Sequence, residues 1–311
     1  IHCFLFLLGA FSSFGQEKEL VIQNKIDSIQ RVIKIAKEDE GKVTALVELS
    51  RLYCDQKNFV EAKKIVNQSQ ALAKKKHFKK GIALSQISSG IILREEGKHK
   101  EALVQFESAL RLTKDLKLKS EESLIYDQIA HAKFSVLDTL GSLNYHKKAY
   151  DIRKELNDEI GTAYSSENIA TIYSKLSDYS TAYNYYKEAY SIFKKLNVTS
   201  RMSLSAGNVG LMKYWLGDRS ESLKYFIAAA GYYKIDKNDE GLIWMYGLIS
   251  NLYQSMFEYD KALDYNQKSL EILLKNNDEF HVANVYCVMA TNYIEKLEFS
   301  KAKELLHKAN A

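Results

Sequence analysis

Along this chain apolar residues recur three and four positions apart, in stretches separated by short breaks, which is the spacing of one face of an α-helix. Between Gly161 and Leu176 that face is Ile169, Ile172, Tyr173 and Leu176; beyond Ser177-Asp178 it resumes as Tyr179, Ala182, Tyr186, Ala189 and Tyr190. Comparable breaks, mostly polar, stand at Lys57-Asn58, Gly97-Lys98, Gly217-Asp218, Phe257-Glu258 and Leu297-Glu298. Breaks this short only turn one helix back on the next, so the pattern predicts a run of helical hairpins and an all-α protein.

The hairpins keep a constant phase. Gly41, Gly81, Gly161 and Gly241 lie 40 residues or a multiple of 40 apart, and so do Ala62, Ala102, Ala182, Ala262 and Ala302. Units therefore begin at 41, 81, 121, 161, 201 and 241, and a seventh, cut short, begins at 281, so that 41–311 reads as one repeat array. The third unit matches worst, with Ser142 at the alanine position and Thr139-Leu140 at the turn. A bend, a functional irregularity and plain drift are all open there.

The stretch SDYSTAYNYYKEAY (177–190) shows how such units pack. Hairpins stack closely where small side chains let backbones approach, and large ones fill the grooves alongside. Ala62, Ala102, Ala182, Ala189, Ala262 and Ala302 are the expected close-contact points; Tyr179, Tyr186 and Tyr190 are the expected fillers.

These residues carry a resemblance. Ile169, Ala170, Tyr173, Ala182, Tyr186 and Ala189 in the fourth unit, Val209, Gly210, Gly217, Phe226 and Ala229 in the fifth, and Gly90, Ala102, Phe106 and Ala109 in the second match the pattern of the tetratricopeptide repeat. That resemblance implies an α-solenoid, a right-handed superhelix of antiparallel helix pairs, and protein or peptide binding instead of catalysis. The usual closing proline is replaced by Lys74, Lys114 and Lys194, and each unit is longer than the common form. This longer form resembles the sensor region of bacterial regulators. Carried over from the family, first-helix residues line a concave groove: Tyr164, Leu204, Trp244 and Asn284 in one row with Leu84 and Leu124, Thr171, Leu211, Asn251 and Thr291 in a second with Arg51, Ile91 and His131, and Asn168 and Asn208 in a third. Asn168, Asn208 and Asn251 are placed to bond the backbone of an extended peptide, or equally to serve bonds between helices or water. The lysines of a carboxylate clamp are missing, since Val47, Ile87, Asp127 and Glu167 hold those positions.

Composition narrows the picture. There is no proline and there are only 14 glycines in 311 residues, which fits helices joined by tight turns. The formal charge of +5 is spread along the chain, and the densest basic run, Ala73–Gly81, falls where a helix C-terminus is expected, so no nucleic-acid partner is implied. Cys3, Cys54 and Cys287 form neither a disulfide framework nor a metal motif, and the last two are expected to be buried free thiols. No histidine pair or glycine-rich phosphate loop appears, so neither enzyme activity, metal nor cofactor is expected.

The ends add context. IHCFLFLLGAFSSFG, residues 1–15, reads as the remnant of a secretory signal peptide, the alternative being a buried helix start; it is too short to span a membrane. A capping helix over 16–40, with Ile22, Ile26, Ile29, Ile33 and Ala36 on one face, is expected to cover the first hairpin. The last helix stops at Ala311, short of its counterparts, which implies a continuation. The expectation from sequence is a secreted or periplasmic peptide-binding scaffold, the sensor of a longer regulator or, alternatively, a free-standing assembly scaffold without signalling output.

Overall fold

The computed structural model describes residues 13–310, with side chains from Val21 onward. Every element among them is a helix: α1 (Ser13–Ile35), α2 (Glu40–Asp55), α3 (Phe59–Lys75), α4 (Lys79–Glu95), α5 (His99–Asp115), α6 (Lys119–Ser135), α7 (Thr139–Glu155), α8 (Glu159–Lys175), α9 (Tyr179–Lys195), α10 (Thr199–Trp215), α11 (Arg219–Ile235), α12 (Asp239–Ser255), α13 (Tyr259–Lys275), α14 (Glu279–Glu295) and α15 (Phe299–Ala309). The chain divides into two compact units, one up to Leu156 and one from Asn157. Within each, every helix packs on the one before and the one after it, so that antiparallel hairpins stack side by side.

The backbone repeats at half the period of the side chains. From Lys57 to Leu297 every twentieth residue has a positive φ, and it sits in a three-residue turn between helices that are 17 residues long from α3 to α14. Only Gly97 and Gly217 occupy this left-handed position as glycines; Leu137, Phe257 and Leu297 take it with bulky side chains, at a cost of about 1–2 kcal/mol each. Asp or Asn opens many of the helices, as Asn58, Asp138, Asp158, Asp178 and Asp218 each accept a hydrogen bond from a backbone N–H three residues on.

Packing follows from size. Ala62, Ala102, Ala182, Ala189, Ala262 and Ala302 are all buried. Ala182 packs in a cluster with Ala170, Tyr186, Val209 and Met212. A leucine in its place is expected to overpack this layer and cost about 1–3 kcal/mol, read as a lower urea midpoint; an unchanged midpoint contradicts the close approach. Glycines do the same work on first helices. A Cβ on Gly210 would stand 2.6 Å from the Phe226 ring, and one on Gly90 2.5 Å from the Phe106 ring, so these buried phenylalanines lie directly on helix backbone.

The fold departs from the sequence reading at several points. The capping helix ends at Ile35 instead of reaching residue 40, because Asp39 caps a new helix through the Lys42 N–H; Ile26 is the one fully buried residue of its apolar face. Of the signal-peptide stretch, residues 1–12 lie outside the described residues, and Ser13 opens α1. The third turn is Leu137-Asp138, with Thr139-Leu140 already in α7, so helix length and turn there are regular. Its irregularity is in its side chains, described below. The lysine run is split: Lys74 and Lys75 close α3, whereas Lys79 and Lys80 open α4, where Lys80 is held by Glu121 at 2.9 Å. Cys54 is buried, and burial pushes its thiol up to about 11, but Cys287 is exposed, since it shares the outer face of α14 with Thr291 one turn on.

Candidate functional site

In the second unit α10, α12 and α14 are each covered by their own partner and by the second helix of the hairpin before it, as α10 is by α11 and α9. The remaining face is open. Positions spaced by four and then three residues share that face, and in the second unit they bring Tyr164, Asn168 and Thr171 together on α8, Leu204, Asn208 and Leu211 on α10, Trp244 and Asn251 on α12, and Asn284 and Thr291 on α14. Tyr164, Thr171, Leu204, Trp244, Asn251 and Thr291 are exposed; Asn168, Asn208, Leu211 and Asn284 are half-buried. Leu248 and Val288 complete the row of Asn168 and Asn208. The sequence analysis missed both, although adding 40 to Asn208 finds them.

The polar groups on this face fall into two classes. Some are used by the fold itself. Thr171 donates to the Glu167 carbonyl at 2.8 Å and meets the Tyr186 hydroxyl at 2.9 Å, Asn284 donates to the Phe280 carbonyl at 2.9 Å, and Thr291 donates to the Cys287 carbonyl at 3.1 Å. The amides of Asn168, Asn208 and Asn251 are different, because none of them is bonded to any described residue. The role of linking helices, open in the sequence, has no bond to support it.

The rings beside them are held to different degrees. Tyr164 sits edge-on to Phe193, with ring centres 5.4 Å apart, and the Arg201 guanidinium lies 4.7 Å above it. Arg201 also stands 3.7 Å from Glu167, whose carboxylate accepts from Ser205 at 2.7 Å; burial of Glu167 raises its pKa above the ordinary carboxylate value. Trp244, 46% exposed, stacks on no described aromatic ring and is free to take one from outside.

The first unit presents another chemistry. On α2, Arg51 donates through Nε to Ser88 at 3.0 Å, its Nη2 has no partner, and burial lowers its pKa. Asp127 of α6 takes His146 of α7 at 2.8 Å through one oxygen and Arg153 through the other, with Asp127 and His146 buried. His131 meets His146 edge-on at 5.0 Å and is pulled down to about 4, first by burial and then by the charge of His146. Among the described residues no group of histidine, cysteine or carboxylate side chains is arranged to hold a metal ion, and no helix is long and apolar enough to cross a membrane.

Comparisons with known proteins agree with this fold. The family model described as tetratricopeptide repeat matches residues 42–115 and 201–275. No curated protein matches the chain. Among solved structures, the chain is similar to the apo form of the quorum sensor NprR from B. thuringiensis (TM-score 0.60, 12% identity, covering 96% of this chain and 99% of that one). It is also similar to a signal-transduction ATPase with a tetratricopeptide repeat sensor from Pyrococcus horikoshii (0.63, 16%, 95% of this chain and 47% of that one). A third is a Rap protein complexed with competence and sporulation factor (0.54, 12%, 94% and 98%). At these identities the likeness is one of fold.

Proposed function

We propose, from the premise that this chain is a tetratricopeptide repeat protein, that the open face of its second unit binds an extended peptide and that the chain acts without catalysis, as the input half of a bacterial regulator. One observation carries the reading: the fold leaves the side-chain amides of Asn168, Asn208 and Asn251 unbonded on the open face that also bears the exposed Trp244. A side-chain amide offers both a donor and an acceptor, which is what one peptide unit of an extended segment needs. Tryptophan is among the side chains enriched where a few residues carry most of the binding energy. The similar structures support the regulatory role, since one is a quorum sensor, one carries a repeat sensor within a signalling ATPase, and one is a complex with a competence and sporulation factor. The apolar stretch over residues 1–15 supports a place outside the cytoplasm.

The test uses random linear dodecapeptides displayed on phage and selected on the full chain. Peptides so selected are expected to lose about tenfold or more in affinity for the double variant Asn208→Ala, Trp244→Ala, while its helical circular dichroism is unchanged. Undiminished binding moves the contact elsewhere. A second reading, an assembly scaffold, is favoured by the apolar side chains exposed at the hairpin turns, Trp215, Phe257, Leu297 and Phe299. On that reading sedimentation of the wild-type chain is expected to show a higher-order assembly, and Trp215→Ser with Phe257→Ser to abolish it.

A further inference from the structure

The charges of the second unit are distributed unevenly. Second helices turn Lys187, Lys224, Asp264 and Glu271 to solvent. Along the rows of Tyr164, Asn168 and Thr171, from α8 through α14, the open face of the first helices holds no Asp, Glu, Lys, Arg or His; charges flank those rows one turn away, at Glu240 before Trp244 and at Lys175 and Glu295 after Thr171 and Thr291. Glu167 and Arg201, which adjoin the Tyr164 row, are already engaged, the carboxylate by Ser205 and the guanidinium by the Tyr164 ring. The corresponding rows of the first unit are not neutral, since Glu48, Arg51 and His131 stand in them.

A face of this kind discriminates by desolvation. A charged side chain laid on these rows loses part of its water and gains no counter-charge from them. A neutral segment loses far less, because its backbone is met by the free amides and its apolar side chains by Leu204 and Trp244. We infer that the second unit selects a peptide segment whose contacting side chains are uncharged, so that the face excludes acidic and basic sequences as well as admitting neutral ones. This rests on the peptide-binding reading above and adds the chemical class of the partner.

The experiment is the same selection of displayed dodecapeptides on the full chain, read by composition, by salt and by a charge-introducing variant. Positions in the selected peptides whose change to alanine weakens binding about tenfold are expected to lack Asp, Glu, Lys and Arg. Affinity is expected to change less than about twofold between about 0.05 M and about 0.5 M salt, since a neutral contact has nothing to screen. Leu204→Lys is expected to reselect peptides with Asp or Glu, and Leu204→Gln is not. Charged peptides that depend on Asn208 and Trp244 and weaken several-fold in high salt overturn the inference and leave peptide binding in place. Peptides indifferent to Asn208→Ala and Trp244→Ala, or no selected peptide at all, overturn both.

Discussion

Replacing Asp127 by alanine is expected to destabilise the first unit by about 3–5 kcal/mol, the range for removing one member of a buried, hydrogen-bonded charge cluster. Asp127 answers two groups at once, His146 at 2.8 Å and Arg153, and neither histidine nor arginine is freely solvated in this layer between α6 and α7. The loss is therefore one of uncompensated polarity more than of volume. Asp127→Asn keeps an acceptor and should cost less. The double variant Asp127→Ala, Arg153→Met should recover part of the loss, since an apolar replacement of a whole buried ion pair is often neutral. Urea midpoints followed by circular dichroism decide it; a single variant within about 0.5 kcal/mol of wild type would show that the cluster is solvated in solution.

Acidification is expected to weaken the same layer through His131. Its imidazole is pulled from an ordinary 6.5 down to about 4, by burial first and by His146 second, with Arg94 acting in the same direction and Asp127 and Glu95 against it. The sign follows from proton binding. Between about pH 6.5 and about pH 4 the unfolded chain takes up a proton that the folded chain refuses, so stability falls as pH drops through that window. The full shift corresponds to about 3 kcal/mol, and solvent contact of the half-buried ring reduces it. His131→Leu removes this contribution. The difference in urea midpoint between wild type and variant should therefore move steadily in the variant's favour from about pH 7 to about pH 4.5. A pH-independent difference would mean that His131 titrates normally.

The sequence made the repeat legible because it is written in side-chain size. Alanines forty residues apart are buried at matching places, and the hairpin turns fall near the expected breaks. The twenty-residue period of the backbone was hidden, because the left-handed turn residue is Lys, His, Asn, Ser, Leu, Phe or Gly from one turn to the next and carries no common signature. The third unit shows the other limit. Read by similarity it is a poor repeat, with Asp127 and His146 at positions filled by Val47 and Phe106 elsewhere. Only their distance in space reveals that the two departures answer each other across a hairpin. The early end of α1 turned on a single hydrogen bond, from the Lys42 N–H to Asp39, which competes with continuing the helix. Cys287 illustrates how one helical step moves a thiol from core to surface.

For the open face the sequence supplied positions but not satisfaction. Thr171, Asn284 and Thr291 looked as available as Asn168, Asn208 and Asn251, and the difference lies in bonds to their own helices or to Tyr186 that no spacing rule distinguishes. That difference is the centre of the functional account, and it can be observed directly. In the full chain labelled with nitrogen-15 at asparagine only, the side-chain amide resonances of Asn168, Asn208 and Asn251 can be followed as a selected peptide is added. Binding through this face predicts that these three shift and become protected from exchange with water, while the Asn284 amide, already bonded to Phe280, changes little. A peptide that binds and leaves the three resonances where they were would contradict the account.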